Sequence, residues 1–157
     1  MTDPPPAFPD ASTRDRVHAL LADAGYREDV IAKHVPGRGF ARGRMSREAL
    51  QRTEELDDRL HALLLLFLFD SPVPEEGARG SLGRAGVEAL ASSGMVVRED
   101  SSLRPTLHLV PFHGVVIASD VRERHEERAA DFVLGAFGTA RNLAACAFRD
   151  PAATVLD

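Results

Sequence analysis

The chain has one cysteine, Cys146, and no apolar stretch long enough to span a bilayer. A single thiol rules out an intramolecular disulfide framework and fits a reducing, cytoplasmic setting. The strongest apolar run, Ala62 to Phe69, falls far short of the ~20 residues that a membrane helix needs, so no membrane partner is expected. The amino terminus, Met-Thr-Asp-Pro-Pro-Pro, lacks the basic and then apolar layout of a secretory signal. Basic charge is scarce as well: 19 Lys and Arg stand against 24 Asp and Glu, for a net charge of -5. That balance weighs against non-specific nucleic-acid binding, although a local patch can still act.

Catalytic signatures are missing too. The chain has no Gly-x-Ser-x-Gly elbow, and His125-Glu126 lacks the second histidine of a helical zinc pair. His108 and His113 have no third ligand at metal-binding spacing. Cys146 lies beside Ala144, Ala145 and Ala147, which suits a small buried hydrophobe better than a nucleophile. No metal site is expected, and no catalytic residue is assigned.

What is present is an ordinary globular composition of 157 residues, 44% hydrophobic and 27% charged. Residues 1–11 carry Pro4, Pro5, Pro6 and Pro9 and read as a flexible arm. Ser12 stands where an N-cap would precede a helix with Val17, Leu20, Leu21 and Ala24 on one face and Gly25 as its stop. Tyr26 to His34 reads as a second short helix, closed by Val35-Pro36-Gly37. Residues 12–45 thus form a helical hairpin with a glycine-arginine loop, Gly37 to Arg44. No strand precedes that loop, so a dinucleotide cradle is not supported. Arg38, Arg42, Arg44 and Arg47 are the candidate contacts to a nucleic-acid backbone or a substrate, and a solvated loop is the alternative.

Residues 46–120 read as a winged-helix-like domain. Ser46 caps one long helix, or two abutting ones, running to about Phe69 with Leu50, Leu56, Leu60, Leu63, Leu64, Phe67 and Leu68 in a stripe. A short helix begins near Pro74, where Glu75 and Glu76 complement its dipole. Gly80 and Gly83 break the chain, and a third helix buries Val87, Leu90 and Ala91 before Gly94 stops it. Strand signals follow at Met95 to Glu99, Leu103 to Val110 and Gly114 to Ser119, with a turn at Asp100-Ser101-Ser102 as the wing. Pro105 and Pro111 place the second strand at an edge or a bulge. The expected fold class is α+β, mainly α: a helical hairpin, then a winged-helix-like domain.

Residues 121–157 read as a connector followed by the start of another domain. The charged run Arg122 to Arg128 leads to Asp131-Phe132-Val133-Leu134-Gly135-Ala136-Phe137-Gly138-Thr139-Ala140-Arg141-Asn142-Leu143-Ala144, and later to Thr154-Val155-Leu156-Asp157. These two strings resemble the approach to the catalytic domain of class I S-adenosylmethionine-dependent methyltransferases. The likeness is to the bacterial small-domain group related to release-factor glutamine methyltransferases. The resemblance implies a Rossmann-like domain truncated after its first strand, with Gly135, Phe137, Gly138, Thr139 and Asp157 as cofactor-binding positions. Phe137 and Asn142 depart from the glycine and threonine usual there. An accessory, substrate-recognition role is implied for the chain itself, which is not expected to be catalytic alone. S-adenosylmethionine then belongs to the parent enzyme and is not expected to bind this fragment. The partners implied are the missing C-terminal catalytic domain and a substrate that is a protein, an RNA or a small molecule. The alternative is a stand-alone winged-helix module that binds nucleic acid or docks a protein, with Ala62 to Phe69 as a possible dimer surface.

Overall fold

In the computed structural model, residues 7–35, 53, 55–112 and 114–121 are described. The fold is α+β and mainly helical. The glycine-arginine loop, the charged run, Cys146 and the segment resembling a methyltransferase lie outside the described residues.

Helix α1 (Ala11–Asp23) starts two residues earlier than its sequence suggests. Asp10, not Ser12, is the cap: its Oδ1 accepts the Thr13 backbone N–H at 2.6 Å. That hydrogen bond holds the Asp10 carboxyl below its ordinary value of 3.8. The helix ends at Gly25, whose φ of +67° lets its N–H reach Ala22 O while Tyr26 N–H reaches Leu21 O. This paired pattern is a Schellman stop, and its hydrophobic member is Tyr26, only 3% exposed. Helix α2 (Glu28–His34) then buries Ile31 and packs Val30 against the same core.

Helix α3 (Asp58–Phe67) is capped by Asp57, whose carboxylate accepts the Arg59 N–H at 3.0 Å. Leu60, Ala62, Leu63, Leu64, Leu66 and Phe67 are all buried, so the helix is covered around nearly its whole circumference. Helices apolar on every side belong in a core. The proposed dimer surface at Ala62 to Phe69 is therefore mostly interior.

From α3 the chain enters a two-residue strand, β1 (Val73–Pro74), which the sequence pattern did not reveal. Helix α4 (Glu75–Ser92) follows and is broken at Gly83, where φ is +73° and ψ is 157°. Gly80 does not interrupt it. A second Schellman stop ends α4: Gly94 N–H bonds Ala91 O, Met95 N–H bonds Leu90 O, and Met95 is buried. Strands β2 (Val96–Glu99) and β3 (Ser102–Pro105) form an antiparallel hairpin with Asp100-Ser101 as its tip. Asp100 takes the left-handed conformation there, with φ +54°. β1 joins on the other side of β3, giving the sheet order β1-β3-β2.

Helix, short strand, two helix segments and a two-stranded hairpin, in that sheet order, reproduce the winged-helix arrangement. Where the sequence suggested one long second strand, the chain instead changes sheets at Thr106. The Thr106 hydroxyl donates to Gly94 O at 2.6 Å and its N–H bonds Met95 O. Strands β4 (Leu107–Phe112) and β5 (Val115–Asp120) then form a separate antiparallel hairpin in register from Leu107↔Asp120 to Phe112↔Val115. β4 packs on α3 and accepts, at Leu109 O, a 2.8 Å hydrogen bond from the Tyr26 hydroxyl. Complete burial pushes the Tyr26 pKa far upward, so the phenol stays a neutral donor.

Three substitutions test this arrangement. Gly83→Ala places a Cβ on a φ/ψ pair that essentially only glycine adopts, and denaturant unfolding should show a loss of about 1–3 kcal/mol. Gly80→Ala, at a helical site with open space around the added Cβ, should gain about 0.5–1 kcal/mol. Tyr26→Phe leaves Leu109 O without its buried donor and should cost about 1–3 kcal/mol in the same measurement.

Candidate recognition surface

A winged helix usually presents the helix preceding its hairpin, together with the hairpin itself. Here that helix is the second half of α4, residues 84–92, which exposes Arg84, Ala85, Glu88 and Ser92. Arg98 on β2 reaches back to it: Nη2 donates to Glu88 Oε1 at 2.9 Å, and Nε donates to Glu75 Oε1 at 3.2 Å. Arg79, one turn after Glu75, donates to the same Oε1 through Nη2 at 2.7 Å and Nε at 3.1 Å. Its Nη2 also lies 3.9 Å from Glu88. Two arginines and two glutamates thus close a ring across both halves of α4 and the wing, with no net charge.

The hydrogen bonds from Arg79 and Arg98 hold the Glu75 carboxyl below its ordinary value of 4.5. Donating to Glu88 and Glu75 raises the pKa of the Arg98 guanidinium. On the wing, Arg104 Nε donates to Glu99 Oε2 at 2.9 Å, leaving Asp100 at the tip. The tip is also tied down, because Glu75 N–H bonds Ser101 O at 2.8 Å. A polyanion approaching this face meets Arg79, Arg98 and Arg104 already paired with carboxylates, the acidic Asp100 at the tip, and Arg84 as an exposed cation outside the ring. Direct base reading and phosphate contact both need positive groups that are unspent.

Two concave features lie elsewhere. A polar cleft of about 520 Å³ lies between the end of α1 and the start of α3, lined by Asp23, Asp57, Asp58, Arg59 and Ser81. An apolar groove of about 270 Å³ runs between α1 and the β4–β5 hairpin, with Val17, Leu21, Leu107 and Leu109 among its walls. Among the described residues, no group of His, Cys, Asp and Glu could hold a metal ion. His108 sits with its Nε2 3.9 Å from Asp70 and its Nδ1 3.4 Å from Phe67 O, a contact between β4 and the end of α3.

Every cofactor-binding position suggested by the sequence, Gly135, Phe137, Gly138, Thr139 and Asp157, lies outside the described residues. So do the candidate contacts Arg38, Arg42, Arg44 and Arg47. Sequence reading missed the ion-pair ring. Its only one-dimensional trace is the Glu75/Arg79 spacing of four residues on a helix; Glu88 and Arg98 join it only once the wing has folded back.

The geometry defines an α+β unit of winged-helix arrangement in which a helical hairpin shares the core. The chain belongs to the family described as a domain of unknown function, DUF7059, which matches residues 13–106. No curated protein matches the chain. The matched span runs from the first turn of α1 to Thr106, the residue at which the chain leaves the winged sheet. Among the described residues, no helix is long and apolar enough to cross a membrane.

The ring's contribution to stability should depend on pH. Because the Glu75 pKa is depressed on folding, the contribution is present above pH 4.5 and is lost as pH falls through the lower folded value. Melting curves of the parent chain and Glu75→Gln should therefore differ at neutral pH and converge in acid. A constant difference across that range would show that the substitution acts through something other than the ring.

Proposed function

We propose that this chain is the accessory, substrate-recognition part of a cytoplasmic S-adenosylmethionine-dependent methyltransferase and is not catalytic by itself. The observation that carries the reading is the resemblance of residues 131–144 and 154–157 to the approach to a class I methyltransferase domain. The fold upstream is compatible with it: a winged unit and a helical hairpin share one core. The neutral ring of Glu75, Arg79, Glu88 and Arg98 and the acidic wing tip favour a protein acceptor over a nucleic acid. S-adenosylmethionine supplies the methyl group in such an enzyme, and Gly135, Phe137, Gly138, Thr139 and Asp157 are the residues proposed to approach it. This part of the protein contributes binding and orientation, which lower the barrier by holding the acceptor near the reactive group.

Two measurements test the reading. Continuing the gene sequence past the codon for Asp157 should reveal a glycine-rich loop and a Rossmann-length extension; a stop codon there would overturn the proposal. Calorimetric titration of residues 1–157 with S-adenosylmethionine should give no micromolar binding, because the glycine loop would lie beyond Asp157. The extended protein should bind the cofactor.

A further inference from the structure

Strand β5 has β4 on one side, and β4 is the one described element that packs against it extensively. An edge strand is normally blunted by charge, proline, a bulge or brevity. The winged sheet follows that rule at both edges: β1 has two residues, one of them Pro74, while β2 exposes Arg98 and Glu99. Strand β5 has none of these devices. Its register with β4 is unbroken from Val115 to Asp120, and Val115-Val116-Ile117-Ala118-Ser119 carries neither charge nor proline.

Exposure is concentrated in one stretch of this edge. Gly114, Val115, Val116 and Ala118 are exposed and Ile117 is half-buried, with Val115 at 50% and Val116 at 42%, whereas Ser119 is buried. The open stretch, 114–118, is therefore centred on Val116. It is apolar on both faces of the sheet. Val116 and Ala118 line the groove beside α1, and Val115 and Ile117 stand on the opposite face with Phe112 and Val110 across from them.

We propose that this edge pairs with the same edge of a second copy of the chain, antiparallel about a two-fold axis at Val116. A strand stretch centred on one residue is its own antiparallel complement, which is the isologous contact of a two-fold dimer. Val116 then meets Val116, each Val115 meets Ile117 of the other copy, and Gly114 meets Ala118, so no facing pair carries a charge and the central ones are β-branched. The chain has a net charge of -5, and this stretch lets two acidic copies meet without bringing like charges together. Asp120 lies beyond the paired residues, whereas parallel pairing would set it against its counterpart. The product is a four-stranded sheet, β4-β5-β5-β4, in which a lone hairpin gains the further strands that such a ribbon needs. Residues 114–118 are far fewer than the roughly 20–30 residues a side of a standard interface, so the dimer is transient and forms only at high concentration.

Sedimentation velocity of the full 157-residue chain, from low micromolar to near millimolar concentration, should show the average mass rising toward twice that of one chain. Val116→Lys and Val116→Glu each set like charges face to face on the axis and should each stay monomeric, with far-ultraviolet circular dichroism unchanged. Mixing the two variants in equal parts should restore the rise, because Lys then faces Glu. Should either unfold, Val116→Cys in a Cys146→Ser background carries the test: mild oxidation should give an interchain disulfide, and its absence would overturn the proposal. A parent chain that stays monomeric throughout would also overturn it and leave the edge to an extended segment of some other protein. So would a rise that survives either charge, or a mixture that stays monomeric, because the contact would then lie elsewhere or in another register.

Discussion

The structure depends on a helix that, beyond its first turn, is buried on nearly every side. Leu60, Ala62, Leu63, Leu64, Leu66 and Phe67 of α3 are buried together, and successive residues of a helix point in different directions, so covering them takes neighbours on several sides. The chain supplies them in turn. α4 lies along one side, β1 and β3 of the winged sheet touch a second, and β4 of the separate hairpin packs on a third. Helices α1 and α2 complete the shell through α4 and through Val17, Leu20 and Ile31, which share one continuous core with α3. This explains why the family match spans the helical hairpin and the winged unit together. Removing either would leave apolar surface of the common core facing water, at roughly 25 cal/mol per Å².

Close packing around that core leaves its mark on the glycines. Gly86 lies where α1 crosses α4, and a Cβ there would meet Leu20 Cδ1 at 3.3 Å, so the small residue lets the two helices approach. Gly25 and Gly94 do a different job, turning the chain after α1 and α4 so that Tyr26 and Met95 drop straight into the core. Both stops were legible in the sequence, since a glycine followed by a hydrophobe after a helical stripe is a local signal. The apolar stripe of α3 was legible for the same reason. Gly80 and Gly83 look alike in sequence, three residues apart with similar neighbours, yet only Gly83 breaks α4. Which of the two turns is decided by where Leu82 and Val87 must both be buried, and that is a tertiary requirement.

Short strands were the least legible elements. β1 is two residues long and includes a proline; it exists only because β3 offers a partner from thirty residues away, and period-two patterning cannot register over such a length. The division of Leu103 to Val110 into β3 and β4 was hidden for a related reason. Alternation persists across Thr106, but the hydrogen-bond partners change from β2 to β5, and partners are not a property of a single strand's sequence. The ring of Glu75, Arg79, Glu88 and Arg98 is of the same kind. Half of it is written as helix spacing; the other half requires the wing to bring Arg98 over α4.

The β4–β5 hairpin begins where the family match ends, and its attachment bears on what it does. It is held to the body at three kinds of contact: apolar packing on α3, the Tyr26 hydroxyl on Leu109 O, and Thr106 bonded to Gly94 and Met95 at the root. None of these depends on the wing or on the exposed face of α4. The hairpin register runs Leu107 against Asp120, so the end of β5 returns to the root, and Val121 beside it is buried. The end of β5 is therefore held at the root of the hairpin, where Thr106 bonds Gly94 and Met95. In the function proposed above, such an anchor would hold the surface that carries the ring in a fixed relation to what the chain carries after β5.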